Sequence, residues 1–156
     1  MPAFQLVGLS SEPFAALFDL SSRELQERNA RRVVADASSG YPCRVSLQDA
    51  KPGDELLLLP YDHQPADSPY RSSGPIFVRR GASQRVLPVN EVPEYVTRRL
   101  MSLRGYDAAH LIVAAEVCEG RDAAKTIQAM FADPAVEYIH LHNAKRGCYS
   151  CLARRA

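Results

Sequence analysis

Residues 56–78 read LLLLPYDHQPADSPYRSSGPIFV, which is a polar, proline-rich block between two apolar runs. The runs 56–59 and 76–78 have the length and composition of buried strands. The intervening block 60–75 is therefore predicted to be a loop between two strands of one sheet. Its four prolines restrict φ at their own positions and favour extended conformations in the residues before them. A preorganised loop with many polar side chains is a typical place for a binding or catalytic site.

The composition is that of an ordinary globular chain. Its 156 residues are 46% hydrophobic and 24% charged, which predicts one domain over residues 1–156 with a sizeable core. The net charge of +1 arises from interleaved acidic and basic residues, so we expect no general nucleic-acid binding. Adjacent arginine pairs at 31–32, 79–80, 98–99 and 154–155 are assigned to solvated surface.

The chain also carries no sign of a membrane or export segment. No apolar stretch reaches the ~18 residues of a membrane span. The N-terminus lacks the basic and then hydrophobic segments of a secretory signal. We therefore expect no membrane association and a reducing, cytoplasmic location.

Helices are predicted in three places. The pattern from Ser21 to Glu24 fits a capping box, which begins a helix that runs to about Arg28. A second helix is predicted after Asn90, with Gly105 as its stop. Its apolar stripe consists of Val92, Val96, Leu100 and Leu103. A third, amphipathic helix covers residues 121–132.

The remaining segments predict about seven strands. Two of them, residues 136–142 and 148–153, form a C-terminal hairpin, and Gly147 lies where the loop needs positive φ. Three helices are too few to cross over between parallel strands. We therefore predict an α+β fold with a mainly antiparallel sheet or a half-open barrel.

The strand before this hairpin loop carries an HxH pattern. Because strand side chains alternate, Tyr138, His140 and His142 share one face, and Ile139 and Leu141 point into the core from the other. Two histidines at this spacing can bind one divalent transition metal such as Zn. His63, Asp67, Asp62 or a cysteine would supply further ligands. The favoured alternative is that this face is simply polar and exposed.

The proline-rich block offers acid–base and anion-binding groups. His63 is the candidate catalytic residue, oriented by Asp62 or Asp67, because its ordinary pKa lies near physiological pH. Arg71 is suited to bind a carboxylate or phosphate, or it pairs with Asp67 instead. The candidate ligand-binding residues are Tyr61, Asp67, Arg71, Ser72, Tyr138 and Asn143. No motif of a known catalytic class occurs, so whether the chain is an enzyme stays open.

The four cysteines, Cys43, Cys118, Cys148 and Cys151, are expected to be free in a reducing compartment. Cys148 and Cys151 have CxxC spacing. On a strand they would face opposite sides, which disfavours a redox or metal role. We predict ordinary structural cysteines, since buried free cysteine behaves as a small hydrophobe.

Four segments carry a resemblance to a known family. They are Tyr41–Arg44, Asp49–Asp54, Leu58–Tyr70 and Ile139–Asn143. With them the chain resembles, over nearly its whole length, a small bacterial family catalogued as domain of unknown function 1203. The resemblance implies a single compact bacterial domain, cytoplasmic, with no assigned activity to carry over.

The leading hypothesis is a small-molecule-binding domain whose pocket combines the loop 60–75 with the strand 138–143 and binds an anionic ligand. The alternative is a noncatalytic interaction or self-association protein, a homo-oligomer for example, which uses the rigid loop with Tyr61 and Tyr70 as anchors. A third hypothesis is a metal-binding or redox protein.

Overall fold

The computed structural model describes residues Met1–Ala156 as two five-stranded sheets with four short α-helices. The strands are β1 (Phe4–Val7), β2 (Arg31–Val34), β3 (Pro42–Cys43), β4 (Gln48–Asp49), β5 (Glu55–Gln64), β6 (Ser72–Arg79), β7 (Leu100–Tyr106), β8 (Ile112–Glu119), β9 (Tyr138–Asn143) and β10 (Tyr149–Arg155). The helices are α1 (Glu12–Ala15), α2 (Ser22–Glu27), α3 (Glu94–Thr97) and α4 (Ala123–Phe131). Short 3₁₀ turns cover Ala16–Asp19 and Gly120–Asp122.

The strands pair almost entirely in antiparallel fashion. The first sheet has the order β1-β10-β9-β7-β8, and the second has the order β2-β5-β6-β3-β4. One pair, β3 with β6, is parallel. Neither sheet closes into a barrel. The predicted α+β class is confirmed, and so is the C-terminal hairpin, in which β9 pairs with β10 and Gly147 has φ of +79°.

The larger hydrophobic cluster covers one face of the first sheet, and a second cluster reaches the sheet through Tyr149. Ile139 and Leu141 pack in the larger cluster with Ile127 and Phe131 of α4, as the alternation along β9 predicts. The second cluster joins the N-terminal helices to β5 and β6, and Tyr149 of β10 contributes to it. The second sheet therefore covers the face of the first sheet that lies away from α4.

The helix predicted after Asn90 is wrong. Only Glu94–Thr97 is helical, and Leu100–Tyr106 forms the strand β7 next to β9. The apolar residues Met101 and Leu103 fit a period of two as well as a helical stripe, and burial against α4 selects the strand. Gly105 is not a helix stop. It lies within β7, and a Cβ there would come 3.2 Å from Met130 and from Val136.

Two further boundaries differ from the prediction. Of the segment 43–47, which was predicted to be extended, only Cys43 is in a strand, and residues 44–47 form a turn with Leu47 at φ of +54°. The block 60–75 is mostly strand, because β5 continues to Gln64 and β6 begins at Ser72. The true connection is therefore only residues 65–71.

The capping box at Ser21 and the helix within 121–132 are confirmed. None of the helices has the length and apolar composition needed to cross a membrane.

Candidate functional site

The histidine face of β9 lies inside the protein. Only 6% of His140 and 1% of His142 is exposed. The expected exposed polar face is therefore wrong, because the second sheet covers it. His63 reaches the same place from β5. The segments 60–75 and 138–143 are thus neighbours.

The rings of these three histidines form one cluster. The ring centroid of His63 lies 4.9 Å from that of His142 and 6.2 Å from that of His140. Tyr149 stacks on His63 at 5.6 Å with nearly parallel planes. Tyr106 approaches His140 edge-on at 4.9 Å. We call His63, His140 and His142 the histidine cluster.

A bulge in β5 brings His63 to this position. The register against β6 shifts between Tyr61 and Gln64, so the strand holds an extra residue there. As a result the neighbours His63 and Gln64 are both buried. The Gln64 side-chain amide donates to the Tyr138 hydroxyl at 2.9 Å. The same hydroxyl lies 2.7 Å from His110 Nδ1. The polar groups of this region thus come from both sheets.

Most ring nitrogens of the histidine cluster have no hydrogen-bond partner. Both nitrogens of His63, Nδ1 of His140 and Nε2 of His142 are buried and unpaired. His142 Nδ1 donates to the Gly147 carbonyl oxygen at 2.9 Å when the proton resides on that nitrogen. In that tautomer Nε2 carries the free lone pair.

The cluster is neutral at physiological pH. Burial, with the neighbouring His142, lowers the pKa of His140 to about 3. Burial also lowers the pKa of His142 to about 4, against the opposing hydrogen bond to Gly147. The pKa of His63 is lowered in the same way, and the Arg104 guanidinium adds to that shift.

The expected carboxylate partner of His63 is missing. Neither His63 nitrogen makes a hydrogen bond, so the prediction that Asp62 or Asp67 orients it is wrong. Asp67 pairs instead with Arg71 at 3.1 Å, and both side chains are mostly exposed. No three His, Cys, Asp or Glu side chains are arranged to hold a metal ion. Metal binding by His140 and His142 stays a prediction.

A second feature is a cavity of about 390 Å³ that none of the three histidines lines, and we call it the arginine-lined cavity. Five cationic side chains line it, together with apolar and small residues, and no acidic residue does so. The lining residues are Gly40, Pro42, Arg44, Leu58, Pro75, Phe77, Arg98, Arg99, Leu100, Asn143, Lys145, Arg146 and Cys148. The cavity therefore offers a positive surface to a ligand.

Arg44 is the most deeply buried of these cations, with 2% exposure. Its Nε donates to the Tyr149 carbonyl oxygen at 2.7 Å, and its Nη1 donates to the Pro42 carbonyl oxygen. Nη2 makes no hydrogen bond, and no ion pair in the molecule includes Arg44. Burial lowers the pKa of Arg44, yet a guanidinium remains charged in proteins. This buried charge thus lacks an anion.

The other cations divide into two groups. Arg99 and Arg98 share Asp49, with Arg99 Nη2 at 2.8 Å and Arg98 Nη1 at 3.8 Å from its carboxylate. Lys145 and Arg146, in the loop between β9 and β10, are exposed and make no ion pair. Three of the five positive charges are therefore unbalanced within the protein.

The residues predicted to bind a ligand are divided by the fold. Asn143 lines the cavity. Tyr138 lies beside the histidine cluster. Tyr61 is half-buried between Phe14 and Tyr149, so only part of its ring is open to a partner.

Other predicted positions lie outside the cavity lining. Ser72 begins β6, and Arg71 and Asp67 stand on the surface of the connection 65–71. The sequence prediction missed Arg44 and placed the pair 98–99 on solvated surface, although both arginines line the cavity. The one available signal was a single charge within the otherwise apolar run Cys43–Val45.

Comparison with known proteins yields one match. The model of the family described as "Protein of unknown function (DUF1203)" matches residues 40–155. The matched range contains every residue that lines the cavity and all of the histidine cluster. No curated protein and no solved structure matches the chain.

Proposed function

We propose that this chain, which belongs to the DUF1203 family, binds an anionic small molecule in the arginine-lined cavity. The observation that carries the proposal is Arg44, a buried guanidinium without a carboxylate partner. A charge removed from water costs several kcal/mol unless it is paired. An anion in the cavity would supply the partner that the fold withholds.

The lining indicates the chemical class of the ligand. A guanidinium binds a carboxylate or phosphate through paired N–H donors, and the cavity presents three arginines and a lysine besides Arg44. Leu58, Phe77 and Leu100 give it an apolar wall. We infer a ligand that joins a phosphate or carboxylate group to an apolar part, and the volume is within the usual range for small-molecule sites.

The proposed ligand is anionic, as the sequence predicts, but a different arginine binds it. Pro75 and Asn143, the ends of the two segments expected to form the pocket, line the cavity. Arg44 takes the part that the sequence assigned to Arg71. Tyr149 connects the cavity to the histidine cluster, because its carbonyl oxygen accepts from Arg44 while its ring stacks on His63. The four free thiols fit the proposed cytoplasmic location.

Equilibrium binding of inorganic pyrophosphate tests this function. We expect calorimetry to detect binding that weakens as NaCl rises from about 0.05 to about 0.5 M, because salt screens the charges. Asn143→Asp places a negative charge in the cavity at nearly constant shape, and the backbone N–H bond of Asn143 to the Cys148 carbonyl oxygen does not involve its side chain. It should abolish binding. Arg121→Ala, at an exposed arginine outside the cavity, is the control and should bind normally. Absence of binding to the wild type, or equal binding by Asn143→Asp, would reject the proposal.

A second candidate function is transition-metal binding by the histidine cluster. The unpaired nitrogens of the cluster favour it, since neutral imidazole is the form that binds metals. The rings would have to turn, because they do not converge on one point as arranged. Metal analysis of the natively purified protein and of His140→Ala/His142→Ala tests whether the cluster binds a metal. Near-stoichiometric metal that the double variant loses would support this function, and metal-free wild type would reject it.

A further inference from the structure

Cys148 is the one cysteine that lines the arginine-lined cavity. It precedes β10 and is partly exposed, as a free thiol. Cys43 and Cys151 are buried, with 0% and 1% exposure. Cys118 is partly exposed on β8, away from the cavity. Cys148 thus differs in its surroundings from Cys151, with which it was predicted to be an ordinary structural cysteine.

A second observation marks the same place as a ligand site. The Arg44 guanidinium is buried without an anionic partner and lines the cavity together with Cys148. Arg44 Nε donates to the carbonyl oxygen of Tyr149, the residue directly after Cys148. A thiol and a buried guanidinium without an acidic partner thus line the same cavity.

We propose that Cys148 forms a mixed disulfide with an anionic disulfide that the cationic residues draw into the cavity. The inference rests on the proposed function and names the chemistry of the same site. The Cys148 thiol gives its proton to solvent, and the resulting thiolate attacks one sulfur of the bound disulfide. The new bond joins Cys148 Sγ to that sulfur as the old S–S bond breaks. The other half leaves as a thiolate with the bonding electron pair and takes a proton from solvent.

The composition of the cavity favours this reaction over group transfer to water. Neither a histidine nor a carboxylate lines it, so no side chain there is suited to activate water as a general base. Thiol–disulfide exchange needs only an attacking thiolate and a leaving thiolate. The cations of the cavity favour both the anionic reagent and the anionic leaving group by Coulomb attraction.

The fold offers Cys148 no second cysteine to which the mixed disulfide could pass. Cys118 lies on β8, which β7 and β9 separate from β10. Cys151 lies in the hydrophobic cluster on the α4 side of the first sheet. The buried Cys43 sulfur accepts hydrogen bonds from the backbone amides of Ser46 and Arg79. An external thiol must therefore release the ligand half from Cys148.

Reaction rates with two disulfide reagents test the inference. The dianionic probe is 5,5′-dithiobis(2-nitrobenzoate), and the uncharged probe is 4,4′-dithiodipyridine. Rates are measured for wild type, Cys148→Ser and the matched variant Cys118→Ser, with the modified cysteine identified by mass spectrometry. We expect the ratio of anionic to uncharged rates to be at least about tenfold higher at Cys148 than at Cys118. Equal ratios at the two cysteines would overturn the inference.

Two further measurements separate this inference from the proposed function. Asn143→Asp should slow the anionic probe at Cys148 and leave the uncharged probe unchanged, whereas equal slowing of both would contradict the inference. The wild-type protein should bind pyrophosphate in the same buffer. If it does so while Cys148 shows no preference for the anionic probe, the inference fails and the proposed function stands. If the wild type does not bind pyrophosphate, the proposed function fails, and the inference with it.

Discussion

The histidine cluster and the arginine-lined cavity share Tyr149 but hold their polar groups in opposite ways. In the cluster, burial lowers the pKa values of His140 and His142 to about 3 and about 4, so the imidazoles are neutral. In the cavity, Arg44 is equally buried but does not become neutral, since a guanidinium stays protonated. The histidine cluster thus avoids the cost of burying a charge by losing protons, whereas the arginine-lined cavity keeps a buried charge.

This difference indicates which of the two regions, the histidine cluster or the arginine-lined cavity, needs a ligand. A neutral imidazole without a hydrogen bond costs far less than an unpaired charge. The cluster can therefore remain as packed aromatic rings between the sheets. The cavity holds three cations without acidic partners, Arg44, Lys145 and Arg146. We therefore propose the cavity, ahead of the cluster, as the site of ligand binding.

The largest expected effect concerns acid sensitivity of the cluster. The unfolded chain binds protons on His140 and His142 near pH 6.5, whereas the folded chain does so only near pH 3 to 4. Their contribution to stability is fully present above pH 6.5 and is lost as the pH falls towards 4. Together the two should lower the free energy of unfolding by about 4 kcal/mol at pH 5 relative to pH 7.5. Urea denaturation at both pH values measures this difference.

The double variant His140→Asn/His142→Asn should remove most of this pH dependence. The matched control His110→Asn removes an exposed imidazole and should keep the wild-type dependence. If the double variant loses as much unfolding free energy at pH 5 as the wild type does, the cluster is not held neutral. The contrast with the cavity would then be wrong.

The next effect concerns the exposed cations of the cavity. Lys145→Ala/Arg146→Ala should weaken pyrophosphate binding about tenfold or more by removing two charges that face the ligand. The free energy of unfolding should change by less than about 0.5 kcal/mol, because both side chains are exposed. Arg121→Ala/Lys125→Ala removes the same two residue types at exposed positions outside the cavity and should bind normally. Equal weakening in both pairs would indicate only a general charge effect.

A smaller effect is expected where the sheets are joined by polar groups. Tyr138→Phe removes the acceptor of Gln64 and the contact with His110. It should cost about 1 kcal/mol of unfolding free energy and leave pyrophosphate binding intact. Tyr41→Phe, which loses an exposed hydrogen bond to Asp36, should cost less. A Tyr138→Phe protein with impaired pyrophosphate binding would show that the two regions act as one site.

The smallest effect is expected at Arg71. Its pair with Asp67 is exposed, and such pairs contribute less than about 0.5 kcal/mol. Arg71→Ala should therefore change neither unfolding nor pyrophosphate affinity, both measured as above. A clear loss of affinity would restore Arg71 as the anion anchor and contradict the cavity assignment.

The sequence predicts what local interactions determine. The capping box at Ser21, the helix within 121–132 and the Gly147 hairpin loop depend on residues a few positions apart, and each is confirmed. The sequence predicts a helix in place of the strand β7 because the apolar residues there fit both periods, and only packing against α4 selects the strand. Such a choice depends on contacts that are distant in sequence.

The candidate site is less predictable for the same reason. The alternation along β9 correctly places His140 and His142 on one face, but only the second sheet decides that this face is buried. The arginine-lined cavity unites Arg44, the pair 98–99 and the loop 143–148, which lie far apart along the chain. No spacing pattern in the sequence predicts that these segments lie together. Arg71 looked like the anion anchor because the nearby prolines and serines form a conspicuous local pattern.

The most direct test is to locate a bound anion in crystals. Crystals grown without sulfate or phosphate would be soaked in selenate, and anomalous diffraction at the selenium edge would then find it. We expect the strongest anomalous peak within about 4 Å of the Arg44 guanidinium, at hydrogen-bonding distance for the selenate oxygens. Selenate bound only elsewhere, with the arginine-lined cavity empty at the same concentration, would contradict the proposal.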